Sequence, residues 1–244
     1  MEYDTFLEFV KSRRTIRKIK PDPLPDDTVD KLIEAARWAP SGFNMQPWEF
    51  VVVKEPDLQS AIKKAVDDYR TNDFFAMEAT REEWQGSPWK PSPGGEFLLP
   101  LAPVYIALFG DTRSNQGLPM PARYTNQKLY SIFESTLSNA FIYMVLAAHS
   151  LGLAAFYVSA TKYPKVGGLI KDILNIPDYL VLYDMLVVGK PDMEVPPKLM
   201  RDKDEMIHYG KAGPDEFRSE EKLREQIIKF RAGNVGRHKD ADTA

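Results

Sequence analysis

Five basic residues lie within eight positions near the start of the chain, directly after a short amphipathic segment. They are Arg13, Arg14, Arg17, Lys18 and Lys20. An arginine guanidinium donates two parallel hydrogen bonds to a phosphate or carboxylate and keeps its charge at any working pH, and Thr15 adds a hydroxyl group. The cluster therefore predicts an anion-binding loop, with an ordinary solvated basic loop as the alternative.

A second polar segment, PSGFNMQPW, occupies residues 40–48. Prolines stiffen both ends of this segment, and Gly42 allows a ligand to approach the backbone. Ser41, Asn44 and Gln46 offer hydrogen-bond donors and acceptors that suit the edge of a heterocyclic ring. The alternative is a polar loop in which Asn44 caps a turn.

The sequence lacks the side-chain sets of the common catalytic sites. The absence of cysteine excludes disulfides, thiolate nucleophiles and Cys-ligated metal centres. The three histidines are scattered, and we interpret His149, on an apolar helix, as a core residue. No P-loop, GxSxG or GxGxxG motif is present. If the chain is an enzyme, its reactive group belongs to a bound cofactor.

Composition narrows the class of partner. The net charge is −3, so we expect neither a nucleic acid nor a membrane as partner, and a small molecule instead. With 43% hydrophobic residues, the chain can bury a substantial core. The N-terminal segment places acidic residues before basic ones, the reverse of a signal peptide, and we therefore expect a cytoplasmic protein.

Helices and strands alternate irregularly along the chain. Apolar periodicity predicts helices that end near Ser12 and before Pro40, and further helices over about 58–69, 127–150 and 166–174. Strands are predicted from the apolar runs WEFVVV, VYIALFG, LAAFYVSA and YLVLYDMLVVG. This order indicates an α+β or mixed α/β fold with one main sheet.

The segment 135–161 contains no Asp, Glu, Lys or Arg. Its length permits a membrane span, but Gly152 interrupts it, and we predict a buried helix that stops there and is followed by a buried strand. The helix is apolar nearly all round and must be covered on every side. A second subunit is a natural source of that cover.

Residues 71–100 are rich in Pro, Gly and Trp and have no periodicity. They predict either a linker or an active-site lid, and we favour the lid. We therefore expect one domain over residues 1–213 with a lid excursion at about 71–100. Residues 214–244 are predicted to form a C-terminal helical extension and a flexible tail.

The two polar segments together resemble the opening of the nitroreductase family of FMN-dependent oxidoreductases. The family motif is Arg-Arg-Ser/Thr-Ile/Val-Arg, an amphipathic helix, and then Pro-Ser-x-x-Asn-x-Gln-Pro-Trp before a strand, and residues 13–53 keep this order and spacing. The later runs AAHSLGLAAFYVSA and ILNIPDYLVLYDMLVVGKP are similar to the family's second half.

The resemblance implies an α+β, nitroreductase-like fold with a central mixed or antiparallel sheet flanked by helices. Two chains would intertwine as a homodimer and bind two FMN molecules at their interface. The phosphate, ribityl chain and pyrimidine edge would be held by Arg13, Arg14, Thr15 and Arg17. Flavin contacts from the other subunit would come from Ser41, Gly42, Asn44 and Gln46. Ser159 and Ala160 would lie near the reactive N5 and O4 edge.

The last phosphate contact departs from the family pattern. Many relatives carry a basic pair near the C-terminus followed by Pro-Leu-Glu-Glu, whereas this chain reads LMRDKDEMIHYG. Arg201 is our candidate for this contact. Lys198 and Lys203 are alternatives, because a strict register places Met200 where a base is expected.

The resemblance implies ping-pong catalysis in which NADH or NADPH reduces FMN and leaves. An electron-poor acceptor of nitroaromatic, quinone or enone type then takes the electrons. Alternatives are a family variant with specialised chemistry, namely a reductive dehalogenase or a flavin-fragmenting enzyme, and a flavin-binding protein without turnover. We find no Glu-Tyr-Lys lid triad of the dehalogenase type.

Overall fold

The computed structural model describes residues 2–74, 76–77, 98–194, 198 and 200–239. The chain divides into two compact units. The first consists of Met1–Arg70 and Leu98–Met193, and the second of Thr71–Phe97 and Glu194–Ala244. The predicted lid excursion falls largely outside the described residues, so its role and the predicted domain boundary at residue 213 stay predictions.

Six helices and five strands make up the regular structure of the described part of the first unit. The helices are α1 (Tyr3–Ser12), α2 (Thr28–Arg37), α3 (Pro56–Tyr69), α4 (Met120–Arg123), α5 (Asn126–Ser150) and α6 (Pro164–Ile173). The strands are β1 (Ile19–Lys20), β2 (Trp48–Val53), β3 (Val104–Asp111), β4 (Ala154–Tyr157) and β5 (Leu180–Pro191). In the second unit, α7 spans Glu220–Lys239.

The five strands form one sheet in the order β1-β5-β3-β2, and β4 also pairs with β5. Each of these pairings is antiparallel. Val187 on β5 faces Tyr105 of β3 on one side and Phe156 of β4 on the other. β5 is therefore the central strand, and the expected α+β fold with a central sheet is confirmed.

Both faces of the sheet are covered, which explains why β3 and β5 are apolar without alternation. On one face, Ile106 and Leu108 of β3 belong to a core cluster with residues of α2 and α5. On the other face, Tyr105 and Phe109 are completely buried. Helices α3 and α6 pack against each other.

Helix α5 is a core helix of its own subunit. Its length and composition would suit a membrane span, but Leu137, Phe141 and Met144 are completely inaccessible within the described chain. Its exposed positions include Tyr130, which is 67% accessible, and Tyr143. The expectation that these apolar residues need a second subunit is therefore wrong for Phe141 and Met144, and the homodimer stays a prediction.

The end of α5 agrees with the sequence. Gly152 has a φ of +69°, and the N–H of Leu153 donates to the carbonyl of Ala148 at 2.9 Å. This left-handed residue, followed by a reversed hydrogen bond, is the usual helix stop at glycine. It turns the chain directly into β4.

The chain re-enters the first unit at residue 98 through a polar clamp on α3. The N–H of Leu99 donates to Asp67 Oδ1 at 2.8 Å, and Lys63 Nζ donates to the Leu99 carbonyl at 2.7 Å. Lys63 and Asp67 also form an ion pair at 2.6 Å. The clamp fixes where β3 begins, and it places the Asp67 carboxylate close to Arg70 at the end of α3.

Candidate functional site

The arginine segment lies between α1 and β1 and has no regular structure. Helix α1 ends because Arg13 adopts an extended conformation, with φ −62° and ψ 132°. The Arg14 guanidinium folds back and donates to the carbonyls of Lys11 and Arg13, the latter at 2.9 Å. Cations are favoured at helix C-termini, where carbonyl groups lack intrahelical partners. Thr15 is exposed.

His149, near the end of α5, fixes the start of this segment. Its Nε2 atom lies 2.8 Å from Ser12 Oγ and 3.1 Å from the Phe9 carbonyl oxygen, and its ring lies 4.8 Å from the Phe9 ring. Burial and the charges of Arg13 and Arg14 lower the pKa of His149. The sequence predicted a core histidine, but the side chain is only half-buried and ties α1 to α5.

Arg17 and Arg70 form a neighbouring pair of cations. Desolvation lowers the pKa of both guanidinium groups, and the charge of Arg17 lowers the pKa of Arg70 further while Asp67 raises it. Arg17 as a residue remains exposed, although desolvation lowers the pKa of its guanidinium group. Arg70 was not among the sequence candidates, because nothing in its local pattern distinguishes it from any other helix-terminal arginine.

The loop 40–47 is strained. Phe43, Asn44 and Gln46 have φ values of 53°, 56° and 45°, a region that costs energy for residues with a side chain. Such residues are enriched at binding loops, where the surrounding structure holds them in place. The Gln46 N–H donates to Ser41 Oγ at 3.2 Å, and Gln46 Nε2 donates to Asn44 Oδ1 at 3.0 Å.

Helix α5 supplies the anchors of this loop. The Gly42 N–H donates to Thr136 Oγ1 and Asn139 Nδ2 donates to the Pro40 carbonyl, each at 3.0 Å. A Cβ atom on Gly42 would overlap Cγ2 of Ile132. Close packing on α5 therefore favours glycine at this position. From the sequence we had expected the glycine to allow a ligand to approach the backbone.

Ser159 and Ala160 lie in a 3-10 turn, Ser159–Lys162, which we call the β4 turn. The sequence predicted strand as far as Ala160, but β4 ends at Tyr157 because the Thr161 N–H bonds back to the Val158 carbonyl at 2.8 Å. No hydrogen bond of the described chain uses the N–H groups of Ser159 and Ala160. Both donors remain available to an acceptor.

Asp184 lies on β5 beneath the β4 turn and is only 2% exposed. Its Oδ1 atom accepts hydrogen bonds from the Met185 N–H at 2.7 Å and from Thr161 Oγ1 at 3.3 Å. Burial raises the pKa of Asp184 to about 6, although Lys162 and these hydrogen bonds oppose the rise. In the sequence, Asp184 is the one acidic residue of the predicted strand YLVLYDMLVVG, and we did not predict a role for it.

Two of the predicted groups lie near Tyr157, at the end of β4. The charge of Arg13 lowers the pKa of the Tyr157 hydroxyl, and the β4 turn begins two residues after Tyr157. The loop containing Ser41 and Gln46 packs on α5 instead. Among the described contacts, none joins it to the arginine segment.

Arg201 belongs to the second unit. Its Nη2 atom donates to the Glu205 carbonyl at 2.6 Å, and its Nε atom lies 3.9 Å from the Glu205 carboxylate. Within the described residues this buried Nε has no hydrogen-bond partner. Arg201, Lys198 and Lys203 therefore stay alternative candidates for the last phosphate contact.

The donors of the arginine segment and those of the β4 turn together fit FMN. Guanidinium groups suit a phosphate and an electron-rich ring edge, and the free N–H groups of Ser159 and Ala160 suit ring acceptors. No group of three or more acidic or histidine residues suitable for a metal ion occurs among the described residues. Arg13 and Arg17 are the residues that would hold the phosphate and the pyrimidine edge of FMN.

Comparison with characterised proteins finds similar chains among the iodotyrosine deiodinases. Iodotyrosine deiodinase 1 of Rattus norvegicus is 29% identical over 192 residues, which are 78% of this chain and 64% of that protein. Iodotyrosine deiodinase of Haliscomenobacter hydrossis is 28% identical, over 76% of this chain and 79% of that protein. The chain thus spans just under two thirds of the mammalian relative.

Solved structures show the same fold. A putative NADH dehydrogenase/NAD(P)H nitroreductase from Parabacteroides distasonis is 25% identical, with a TM-score of 0.58 over 86% of this chain and all of that chain. Nitroreductase CinD from Lactococcus lactis, in complex with 4-nitrophenol, is 18% identical, with a TM-score of 0.64 over 84% of this chain and all of that chain. An FMN-dependent nitroreductase from Clostridium difficile is 22% identical, with a TM-score of 0.60 over 84% of this chain and 99% of that chain. Residues 10–190 match the model of the nitroreductase family, and the chain therefore belongs to that family.

Proposed function

We propose that the chain is an FMN-dependent oxidoreductase that takes electrons from NADH or NADPH and reduces an electron-poor organic acceptor of nitroaromatic, quinone or enone type. One observation carries the proposal. The charge of Arg13 acts on Tyr157 at the end of β4, and the free backbone donors of Ser159 and Ala160 follow that strand directly, so the two groups could bind one flavin. Bound FMN supplies the electron-transfer chemistry.

The protein's own groups would bind FMN and orient its ring. Arg13 and Arg14 neutralise the phosphate, and Arg17 donates to the pyrimidine edge of the ring. The N–H groups of Ser159 and Ala160 would donate to the N5 and O4 edge of the ring. Desolvation lowers the pKa of Arg17, and partial removal of water would strengthen a hydrogen bond from its guanidinium group to the ring.

A second copy of the chain would complete the site, and we place this homodimer in the cytoplasm. Helix α1 has no buried residue, and Tyr3, Phe6 and Val10 on it are 70%, 47% and 41% exposed. The strained loop 40–47 makes no described contact with the arginine segment of its own chain. In this arrangement Ser41, Gly42, Asn44 and Gln46 act on the flavin held by the other subunit.

The test begins with the purified protein. We expect a yellow preparation that releases FMN on acid treatment, at about one per chain. Anaerobic mixing with NADH and with NADPH should bleach the flavin rapidly with at least one of them. The acceptor class then follows from reoxidation by a nitroaromatic, a quinone and an enone. Bound FAD, or no flavin after reconstitution, would contradict the proposal.

A second candidate is reductive dehalogenation of a halogenated tyrosine. It is supported by the curated relatives named iodotyrosine deiodinase, which are 28–29% identical. Dithionite-reduced protein should be mixed with diiodotyrosine and, separately, with a nitroaromatic. Stoichiometric iodide release with slow bleaching by both nicotinamides would favour this candidate. Slow bleaching without iodide release would indicate a flavin-binding protein that lacks turnover.

A further inference from the structure

Asp184 is unusual because it is an acid at the centre of the sheet. It lies on the central strand β5, directly opposite Leu108 of β3. Carboxylates are rarely this buried unless they have partners, since an isolated charge in an apolar environment is very costly. The proposed binding of FMN through Arg13, Arg17 and the β4 turn does not itself use this side chain.

A β-bulge directs this part of β5 toward the β4 turn. Leu108 pairs with Asp184 and Phe109 pairs with Leu182, so Tyr183 is the extra residue. Bulges change the direction of side chains and are frequent beside functional sites. As a result, consecutive residues of β5 contact consecutive residues of the turn. Lys162 Nζ lies 4.0 Å from the centre of the Tyr183 ring, next to the bond from Thr161 to Asp184.

The turn is held from two further directions. The Val158 N–H donates to the Met185 carbonyl at 2.9 Å, which fixes the start of the turn to β5. Helix α6 packs against its other side, so closely that a Cβ atom on Gly167 would lie 2.7 Å from the Thr161 carbonyl oxygen. Thr161 itself is 2% exposed. The turn therefore has little freedom as long as the Asp184 carboxylate keeps its bonds.

We propose that Asp184 is a positioning residue of the flavin site, whose carboxylate holds the β4 turn so that the N–H groups of Ser159 and Ala160 meet the reacting edge of the ring. The inference rests on the proposed function, and it assigns a role to a residue outside the cofactor contacts. Asp184 acts through Thr161, and it touches neither the flavin nor the acceptor.

The hydrogen bond from Thr161 to Asp184 depends on pH, because the Asp184 carboxyl can be charged or neutral. Burial raises the pKa of Asp184 to about 6, and Lys162 on the turn opposes the rise. Lys162 also pairs with Glu134 of α5 at 3.6 Å and lies over the ring of Tyr183. Tyr157 lies near the carboxyl too, and burial, Tyr183 and Asp184 raise its pKa while Arg13 lowers it. Because a hydrogen bond to a carboxylate is stronger than one to a neutral acid, the Thr161 bond tightens as the pH rises through about 6.

The experiment follows the visible absorption of bound, oxidised flavin as the pH is varied on the holoprotein. The wild type should show a transition near pH 6. Asp184→Asn keeps an oxygen acceptor but removes the charge, so it should retain FMN and lose the transition. Thr161→Val removes a hydrogen bond to the charged form and should move the transition to higher pH, and Thr161→Ser should restore it.

A matched control removes a carboxylate elsewhere on the sheet. Asp111, at the end of β3, is paired with Arg113 at 2.6 Å and makes no described contact with the turn, so Asp111→Asn should leave the transition in place. We also expect Thr161→Val to weaken FMN binding about 2- to 10-fold, the range for one hydrogen bond.

The outcomes separate this inference from the proposed function. A flavin-loaded wild type without a transition, or a transition that persists in Asp184→Asn, would overturn the positioning role and leave FMN binding intact. A chain that binds no FMN would contradict the proposed function and this inference with it. If Asp184→Asn fails to fold, the opposite behaviour of Thr161→Val and Thr161→Ser decides the question, since both keep the acid.

Discussion

Two adjacent glycines in α6 allow the β4 turn to be displaced by a single methyl group. A Cβ atom on Gly167 would lie 2.7 Å from the Thr161 carbonyl oxygen, a distance at which a backbone atom has to move. A Cβ atom on Gly168 would meet no atom within 4 Å. Gly167→Ala and Gly168→Ala are therefore the same chemical change in the same helix, and they differ only in this contact.

The two variants should change stability in opposite directions. Alanine in place of glycine in a helix interior stabilises by about 0.5–1 kcal/mol, and both variants gain this. Overpacking against a fixed neighbour costs about 1–3 kcal/mol, and only Gly167→Ala incurs it. The free energy of unfolding of Gly168→Ala should exceed that of Gly167→Ala by about 1–3 kcal/mol, because the helix contribution cancels between them.

Urea unfolding of both variants, with and without FMN, measures this difference. Flavin titration of the folded proteins measures the second effect, since displacement of Thr161 should weaken FMN binding only in Gly167→Ala. Equal stabilisation by the two alanines would show that α6 does not press on the turn. Lower stability of Gly167→Ala with unchanged FMN affinity would show that the turn does not contact the cofactor.

Three further predictions follow from other contacts. Arg13→Ala should weaken FMN binding by about 10- to 150-fold, the effect of one charge-assisted hydrogen bond, whereas Lys20→Ala should leave a fluorescence titration nearly unchanged. Gly42→Ala should destabilise by about 1–3 kcal/mol through overlap with Ile132, and a double-mutant cycle in urea should show that Ile132→Ala removes most of this cost. The pKa of Asp184 rises from 3.8 to about 6 on folding, so the native state favours the protonated carboxyl. The protonated carboxyl therefore contributes fully to the stability of the fold only below the lower pKa, and this contribution is lost as the pH rises through 6. The free energy of unfolding of the wild type relative to Asp184→Asn should accordingly fall by roughly 3 kcal/mol between pH 3 and pH 7.5, and a constant difference would contradict the buried acid.

The secondary structure could be predicted from the sequence because its signals are local. Apolar periodicity and the glycine stop placed the ends of α5 and α6 within about two residues. Strand β4 was predicted too long, because the bond from the Thr161 N–H to the Val158 carbonyl closes a turn that no local pattern announces. The residue types favour a strand through Ser159, but the backbone leaves the strand after Tyr157.

The site could be predicted only in part, because its support comes from residues distant in sequence. The motif placed Ser41 and Gly42 in a loop, yet the side chain that anchors this loop is Thr136, which lies 94 positions further along the chain. The interpretation of His149 as a core residue missed its role at the end of α1. Periodicity reports burial, and it does not report which partner a buried polar group has.

The segment that was expected to close over the acceptor lies outside the described residues from 78 to 97. The lid therefore stays a prediction, and from it we expect that a short Gly/Ser linker in place of Glu82–Gly95 would preserve flavin binding and raise KM for the acceptor. Steady-state kinetics with a large aromatic acceptor and a small quinone would test it, since the small quinone should be affected least.

The position of β5 in the sheet has a consequence for synthesis of the protein. This strand pairs with β1, β3 and β4, all of which precede it in the chain, and it ends at Pro191. At about 5–20 residues per second, a ribosome needs roughly 10–40 s to reach that point. Until then, of the described strand pairs, only β2–β3 can form, and one edge of β3, which is apolar from Val104 to Gly110, stays unpaired. A nascent or truncated chain that ends before residue 180 should therefore depend on chaperones to avoid aggregation through this edge.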